Sequence, residues 1–222
     1  MTAVSKVIEN ALAKGRKHLA ENEVKQLLKE SGIPTTEFKY FHKLSEVDTG
    51  KLKFPVALKV CSPDILHKTD VGGVVLGIET KKDLKKTFEA MHSKFPREGF
   101  LVEPMYDGTV EAIIGLIEDG SFGLTVMFGI GGIFTEIYKD VTFRVVPLKK
   151  CDAEEMLAEI KAAPLLEGFR KIKVDREGLI ELLLAISRLG ERLRGVVDQM
   201  DLNPVFVNVD GVRVIDAKMI LK

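Results

Sequence analysis

An α+β fold is predicted for this chain by three features of its 222 residues. Short apolar runs bounded by turn residues, at 54–60 (FPVALKV) and 100–104 (FLVEP), read as buried strands. Stretches with apolar residues at helical spacing, most clearly 179–193, read as amphipathic helices. The two kinds of segment are mixed without strict βαβ alternation, which argues against a doubly wound parallel sheet.

The elements follow in order. Val7, Ile8, Ala11 and Leu12, then Val24, Leu27 and Leu28, place two helices between residues 4 and 28. The second ends at Ser31-Gly32, where glycine can take the left-handed cap conformation. An extended stretch opens at Ile33-Pro34, and the strand 54–60 carries one conspicuous charge, Lys59. Residues 61–73 (CSPDILHKTDVGG) read as a loop, 74–78 as a strand and 81–94 as a helix. Strands are expected at 110–118 and 123–128, joined by the Glu118-Asp119-Gly120 turn, and another near 142–146. From Asp152 the pattern turns helical, with Asp152 and Glu155 fitting a capping box. Strands at 200–209 and 212–217 flank an Asp210-Gly211 turn.

Composition narrows the function classes. Hydrophobic residues make up 45% and charged residues 30%, a profile that supports a sizeable core. Lys+Arg and Asp+Glu are equal at 33 each, so no global field draws nucleic acid or an anionic membrane. The runs Lys81-Lys82 and Lys85-Lys86 read as the solvated face of a helix. No apolar run approaches the ~18 residues of a membrane span. Without a signal peptide or a CxxC pair, Cys61 and Cys151 read as free thiols of a cytoplasmic protein.

Several residues could carry chemistry. A hairpin sets Asn203 beside Asp216, so their oxygens can converge on a hard cation such as Mg²⁺; Asp201 and Asn203 could equally form an Asx-turn before Pro204. Lys59 either meets a negative partner such as phosphate or reaches solvent along its stem. Glu103 and Glu111 could accept from ribose hydroxyls or an adenine amino group, or pair with surface lysines. His67 precedes Lys68, Thr69 and Gly72-Gly73, and those glycines could form an anion nest beside an imidazole able to attack phosphorus. Alone, it is also what an exposed loop histidine looks like. His18, His42 and His92 read as structural, in helical or linker contexts. Gly129, Gly131 and Gly132, with Glu136 and Arg144 nearby, form a second permissive turn that lacks the GxGxxG spacing of a dinucleotide site.

The order of these residues, with the strings at 54–78, 101–115, 128–148 and 200–218, resembles the β subunits of ADP-forming acetyl-CoA synthetases, ATP-grasp relatives of succinyl-CoA synthetase. The string SPDILHKTDVGGV carries most of that likeness. The resemblance implies an ATP-grasp fold with the nucleotide held between two α/β subdomains, 22–105 and 106–222, after an N-terminal helical extension, 1–21. It implies that Lys59, Gly72 and Gly73 serve the nucleotide phosphates. Glu103 would lie by the adenine with Met105 and Tyr106 at the hinge, and Glu111 would hold the ribose. Asn203 and Asp216 would ligate Mg²⁺, His67 would be a phosphohistidine on the swinging loop 61–73, and Asp201 would support it. It further implies ADP/ATP as substrate and a separate CoA-binding α subunit, in an α2β2 assembly. The reaction implied is acyl-CoA + ADP + Pi ⇌ acid + CoA + ATP. A free-standing ATP-grasp carboxylate ligase, without use for His67, and a non-catalytic ATP-grasp module are the alternatives.

Overall fold

The computed structural model describes residues 6–132 and 139–222. Glu136 and the predicted helix start at Val4 lie outside the described residues. The chain forms two compact units. The larger takes residues 1–19, 24–35 and 107–222, and the smaller takes 20–23 and 36–106.

The larger unit is built on an antiparallel sheet. Its strands are β1 (His18–Leu19), β6 (Val110–Asp119), β7 (Gly123–Ile130), β8 (Val141–Val145), β9 (Val197–Asn208), β10 (Gly211–Val214) and β11 (Ala217–Leu221). They run in the order β1-β11-β9-β6-β7-β8, with β10 also paired to β9. Alternate residues of β6, such as Ala112, Ile114 and Leu116, join Val126 and Phe128 of β7 in one core. That core also takes Leu179, Leu183 and Ile186 of helix α5 (Arg176–Arg192), and Ala153, Met156 and Leu157 of helix α4 (Lys150–Glu159). Helix α1 (Lys6–Ala13) adds Ile8 and Ala11. Helix α2 (Glu21–Glu30) adds Val24, Leu27 and Leu28, and ends at Gly32 with φ +73° as its cap signal foretold. The apolar faces of α1 and α2 therefore contribute to the larger core.

The smaller unit has a four-stranded antiparallel sheet in the order β2-β5-β3-β4. Its strands are β2 (Lys39–Phe41), β3 (Val56–Cys61), β4 (Val74–Ile78) and β5 (Gly99–Pro104). Helix α3 (Lys81–Lys94) opens on Thr80, whose Oγ1 accepts from the Asp83 N–H at 3.1 Å. Its Leu84, Phe88 and Met91 pack with Val56, Leu58, Val60 and Phe100 of the sheet.

Four local expectations change. Helix α4 starts at Lys150, and Asp152 accepts from the Lys149 N–H at 2.6 Å while Glu155 pairs with Arg144 at 3.2 Å, so no Asp152–Glu155 box forms. His18 stands in β1 rather than in a helix. The expected strand 212–217 breaks at Ile215-Asp216, and β11 beyond it is a further strand. Lys59 lies inside β3, with Val74 and Leu101 as Cα partners on its two sides, and does not reach solvent.

Candidate functional site

In the smaller unit, strand alternation sends Val56, Leu58 and Val60 to the α3 side and leaves Ala57, Lys59 and Cys61 on the other face. Glu103 of β5 is opposite Ala57, so it is a diagonal neighbour of Lys59 on that face. The Lys59 ammonium donates to Glu103 Oε1 at 2.6 Å and to Glu21 Oε1 at 3.1 Å. Glu103 Oε2 accepts from the Thr36 hydroxyl at 2.5 Å, and Glu21 Oε2 accepts from the Lys68 ammonium. All four charged side chains are buried. Desolvating such groups is unfavourable unless each meets an opposite charge in good geometry, and here two carboxylates meet two ammonium groups. The negative partner that Lys59 demanded is thus a carboxylate pair.

Lys68 belongs to the loop between β3 and β4. His67, beside it, is exposed. The loop closes on its glycines: Gly72 has φ +64° and its N–H donates to Thr69 C=O at 2.9 Å. The Gly73 N–H donates to Lys68 C=O at 2.7 Å. A Cβ on Gly73 would sit 2.4 Å from Val60 Cγ1, so no side chain fits there. These two amides are engaged within the loop, and the expected anion nest is replaced by a tight turn.

A cavity of about 470 Å³ opens nearby in the same unit. Phe38, Leu52, Phe54, Pro104, Met105 and Tyr106 contribute to its walls. Such a mostly apolar slot suits a flat aromatic ring. The Met105 N–H donates to Pro55 C=O at 2.9 Å, so this hinge amide is engaged.

The larger unit holds the second group. Asn203 is opposite Asp216, where β10 gives way to β11, and its N–H donates to Asp216 C=O at 3.1 Å. This backbone pairing makes neighbours of two residues that carry hard oxygen donors, the donor type that fits Mg²⁺, which takes few protein ligands and completes its shell with phosphate and water. No cluster of three or more His, Cys, Asp or Glu suited to a metal occurs among the described residues. Asp201 pairs with Lys218 across β11 and with Gly115 across β6. Burial pushes the Asp201 carboxyl above the usual aspartate range; Lys218 opposes that and Asp216 adds to it. Glu111, on β6, has an exposed side chain.

The raised Asp201 pKa gives a stability prediction. A carboxyl whose folded pKa exceeds its unfolded value, about 3.9, loses folding stability as pH climbs through that window. Asp201→Asn is therefore expected to melt at a higher temperature than the parent at pH 7 without Mg²⁺. The gap should shrink as the pH falls toward about 4. A lower melting temperature at pH 7 would show the carboxylate to be held by a favourable contact instead.

Sequence reading missed Glu21, Thr36 and Lys68. Glu21 looks like an ordinary acidic residue in the first turn of a helix, where the dipole favours it. Lys68 looks like a solvated loop lysine. No periodicity marks either.

These two groups lie on a chain of the ATP-grasp class, and a model of the ATP-grasp domain matches residues 10–221. The Pyrococcus furiosus acetate–CoA ligase [ADP-forming] II β subunit is 43% identical, over 98% of this chain and 97% of its own. Two structures of acetyl-coenzyme A synthetase 1 from Ca. Korarchaeum cryptofilum, each covering 97% of this chain and 98% of theirs, also match. One, with coenzyme A, acetyl-coenzyme A and a phosphorylated phosphohistidine segment, has TM-score 0.88 and 37% identity. The other, with coenzyme A and Mg-AMPPCP and its phosphohistidine segment pointing towards the nucleotide site, has TM-score 0.85 and 39% identity. The chain belongs to the β-subunit family of ADP-forming acetate–CoA ligases.

Proposed function

We propose that this chain makes ATP from ADP by passing on a phosphoryl group held on His67. It works with a CoA-binding partner subunit, in an α2β2 assembly. The observation that carries the reading is the pairing of an exposed histidine with a firmly closed loop beside a buried lysine site. The overall conversion is acyl-CoA + ADP + Pi to acid + CoA + ATP. On the partner, phosphate displaces CoA to give an acyl phosphate. A histidine of the partner takes the phosphoryl group from the acyl phosphate and releases the carboxylate. A ring nitrogen of His67 then attacks that phosphorus, forming its own P–N bond as the partner's imidazole leaves. A terminal oxygen of ADP next attacks the same phosphorus, and the imidazole leaves with the P–N electron pair.

Each remaining residue has a role this arrangement supports. The apolar slot with Met105 and Tyr106 takes the adenine, and Glu111 the ribose. Lys59 faces the phosphates, while Glu103 with Thr36 holds Lys59 in place. Gly72 and Gly73 shape the carrier loop. Asn203 and Asp216 hold Mg²⁺, which supplies charge neutralisation between the two anions brought together in transfer. Asp201 supports the histidine as it carries the phosphoryl group. The ATP-grasp subdomains implied are 22–105, carrying the loop, and 106–222, although residues 24–35 pack with the larger unit. A cytoplasmic setting is supported by Cys61 and Cys151 being thiols rather than a disulfide. Separately, no helix among the described residues is long and apolar enough to cross a membrane.

The reverse half-reaction tests the reading. Purified chain incubated with γ-labelled Mg·ATP is expected to gain acid-labile, base-stable phosphate on the peptide containing His67. Absence of label there, with partner present or absent, would overturn the relay. A free-standing ligase would leave the histidine unlabelled.

A further inference from the structure

We propose that Lys68 is a positioning residue for the carrier: its buried ion pair with Glu21 is the fixed pivot from which the segment bearing His67 extends. The inference rests on the reading of His67 as carrier and goes beyond it, since it says where the moving segment ends.

Consecutive residues here have opposite fates. His67 is exposed, whereas the Lys68 side chain is only 6% exposed and its ammonium is bound to a Glu21 carboxylate that is itself 2% exposed. The main chain is fixed at the same residue. Lys68 C=O accepts from Gly73 N–H at 2.7 Å, and Gly73 C=O accepts from Val60 N–H at 2.7 Å, which ties the turn 68–73 to β3. On the other side of His67 the attachments are weaker in kind. Ser62 Oγ accepts from the Asp64 N–H at 3.2 Å, and Ile65 packs partly buried against the core of the smaller unit. The segment free to swing is therefore 63–67, and the turn after it stays behind.

Glu21 makes the pivot informative. Its second oxygen accepts from Lys59 at 3.1 Å, so one carboxylate sets both the end of the carrier segment and the lysine assigned to the phosphates. The reach of His67 toward the nucleotide is measured from that shared group. In-line phosphoryl transfer tolerates little displacement, and a shift of about 1 Å can slow a reaction by about a hundredfold.

The test uses the full chain with γ-labelled Mg·ATP. Lys68→Met is expected to slow labelling of His67 by about tenfold to a hundredfold while the Kd for Mg·ADP changes by less than about twofold. Amide exchange in residues 69–73 should accelerate, and Lys68→Arg should restore most of the labelling rate. The double variant Lys68→Met/Glu21→Gln removes both buried charges together. Because Glu21 also holds Lys59, the double variant's labelling rate and Mg·ADP affinity are compared with those of Glu21→Gln alone. That comparison keeps the pivot readable even where Lys68→Met folds poorly. Labelling of either Met variant at the parental rate overturns the pivot, as does a loss of Mg·ADP affinity matching the loss of rate. Failure of the parent chain to label overturns the carrier reading instead. The pivot is then decided by exchange alone: unchanged protection of 69–73 in Lys68→Met refutes it, and lost protection upholds it.

Discussion

Lys59→Met is expected to destabilise the smaller unit by about 3–5 kcal/mol and to abolish measurable Mg·ADP binding. The first effect comes from what the lysine leaves behind. Glu21 and Glu103 have side chains only 2% exposed, and each gives an oxygen to the Lys59 ammonium. Without it, Glu103 and Glu21 each lose a charged hydrogen bond, while Glu103 keeps the Thr36 hydroxyl and Glu21 keeps Lys68. An uncompensated buried charge is far more unfavourable than the loss of a surface pair. The second effect is separable from the first. Lys59→Met/Glu103→Gln removes one charge of each sign and should recover more than half of the lost stability, a coupling of at least about 1.5–2.5 kcal/mol. It should recover none of the nucleotide affinity. Urea melts and calorimetric titration of the two variants measure both. A Lys59→Met protein that melts like its parent would mean the carboxylates find other partners.

The same cluster shows what could be read before any coordinates. Lys59 was legible because a charge inside FPVALKV breaks an apolar strand, and an unpaired lysine there is unfavourable. Its partners were not, because the signal lies in three separate elements. Glu21 opens a helix, Thr36 sits in an extended stretch, and Lys68 follows a loop histidine. Each is the residue type its local structure would ordinarily carry, and only the tertiary fold makes them one group. The glycines illustrate the converse. From sequence, Gly72-Gly73 reads as an anion nest, whereas their amides close a turn on Thr69 and Lys68, with Gly73 pressed against Val60. Strand positions followed apolar runs well, whereas β2 is only three residues long, with two of them exposed, and offers no run to find. The break at Asp216 likewise escaped a periodic reading, although the Asn203–Asp216 pairing it produces was anticipated from the hairpin.

His67→Asn is the opposite kind of variant, expected to end catalysis without touching the fold. The histidine is exposed, and surface replacements of this kind shift stability by no more than about 0.5 kcal/mol. Asparagine keeps a polar side chain of similar reach but cannot form the P–N bond. With the partner subunit present, ATP formation should fall by at least about three orders of magnitude, the scale seen when a covalent nucleophile is removed. Mg·ADP affinity should be unchanged, because the proposed nucleotide contacts reside on Lys59 and the slot beside Tyr106. Formation of acyl phosphate on the partner should continue, so the intermediate accumulates rather than disappears. That pattern separates a relay from a structural histidine, which would lose melting temperature along with rate. It also separates a relay from direct transfer of acyl phosphate to ADP, for which His67→Asn would turn over at the parental rate. Together with Lys59→Met, the variant divides the smaller unit into a buried charge cluster that maintains the site and one exposed ring that crosses from it.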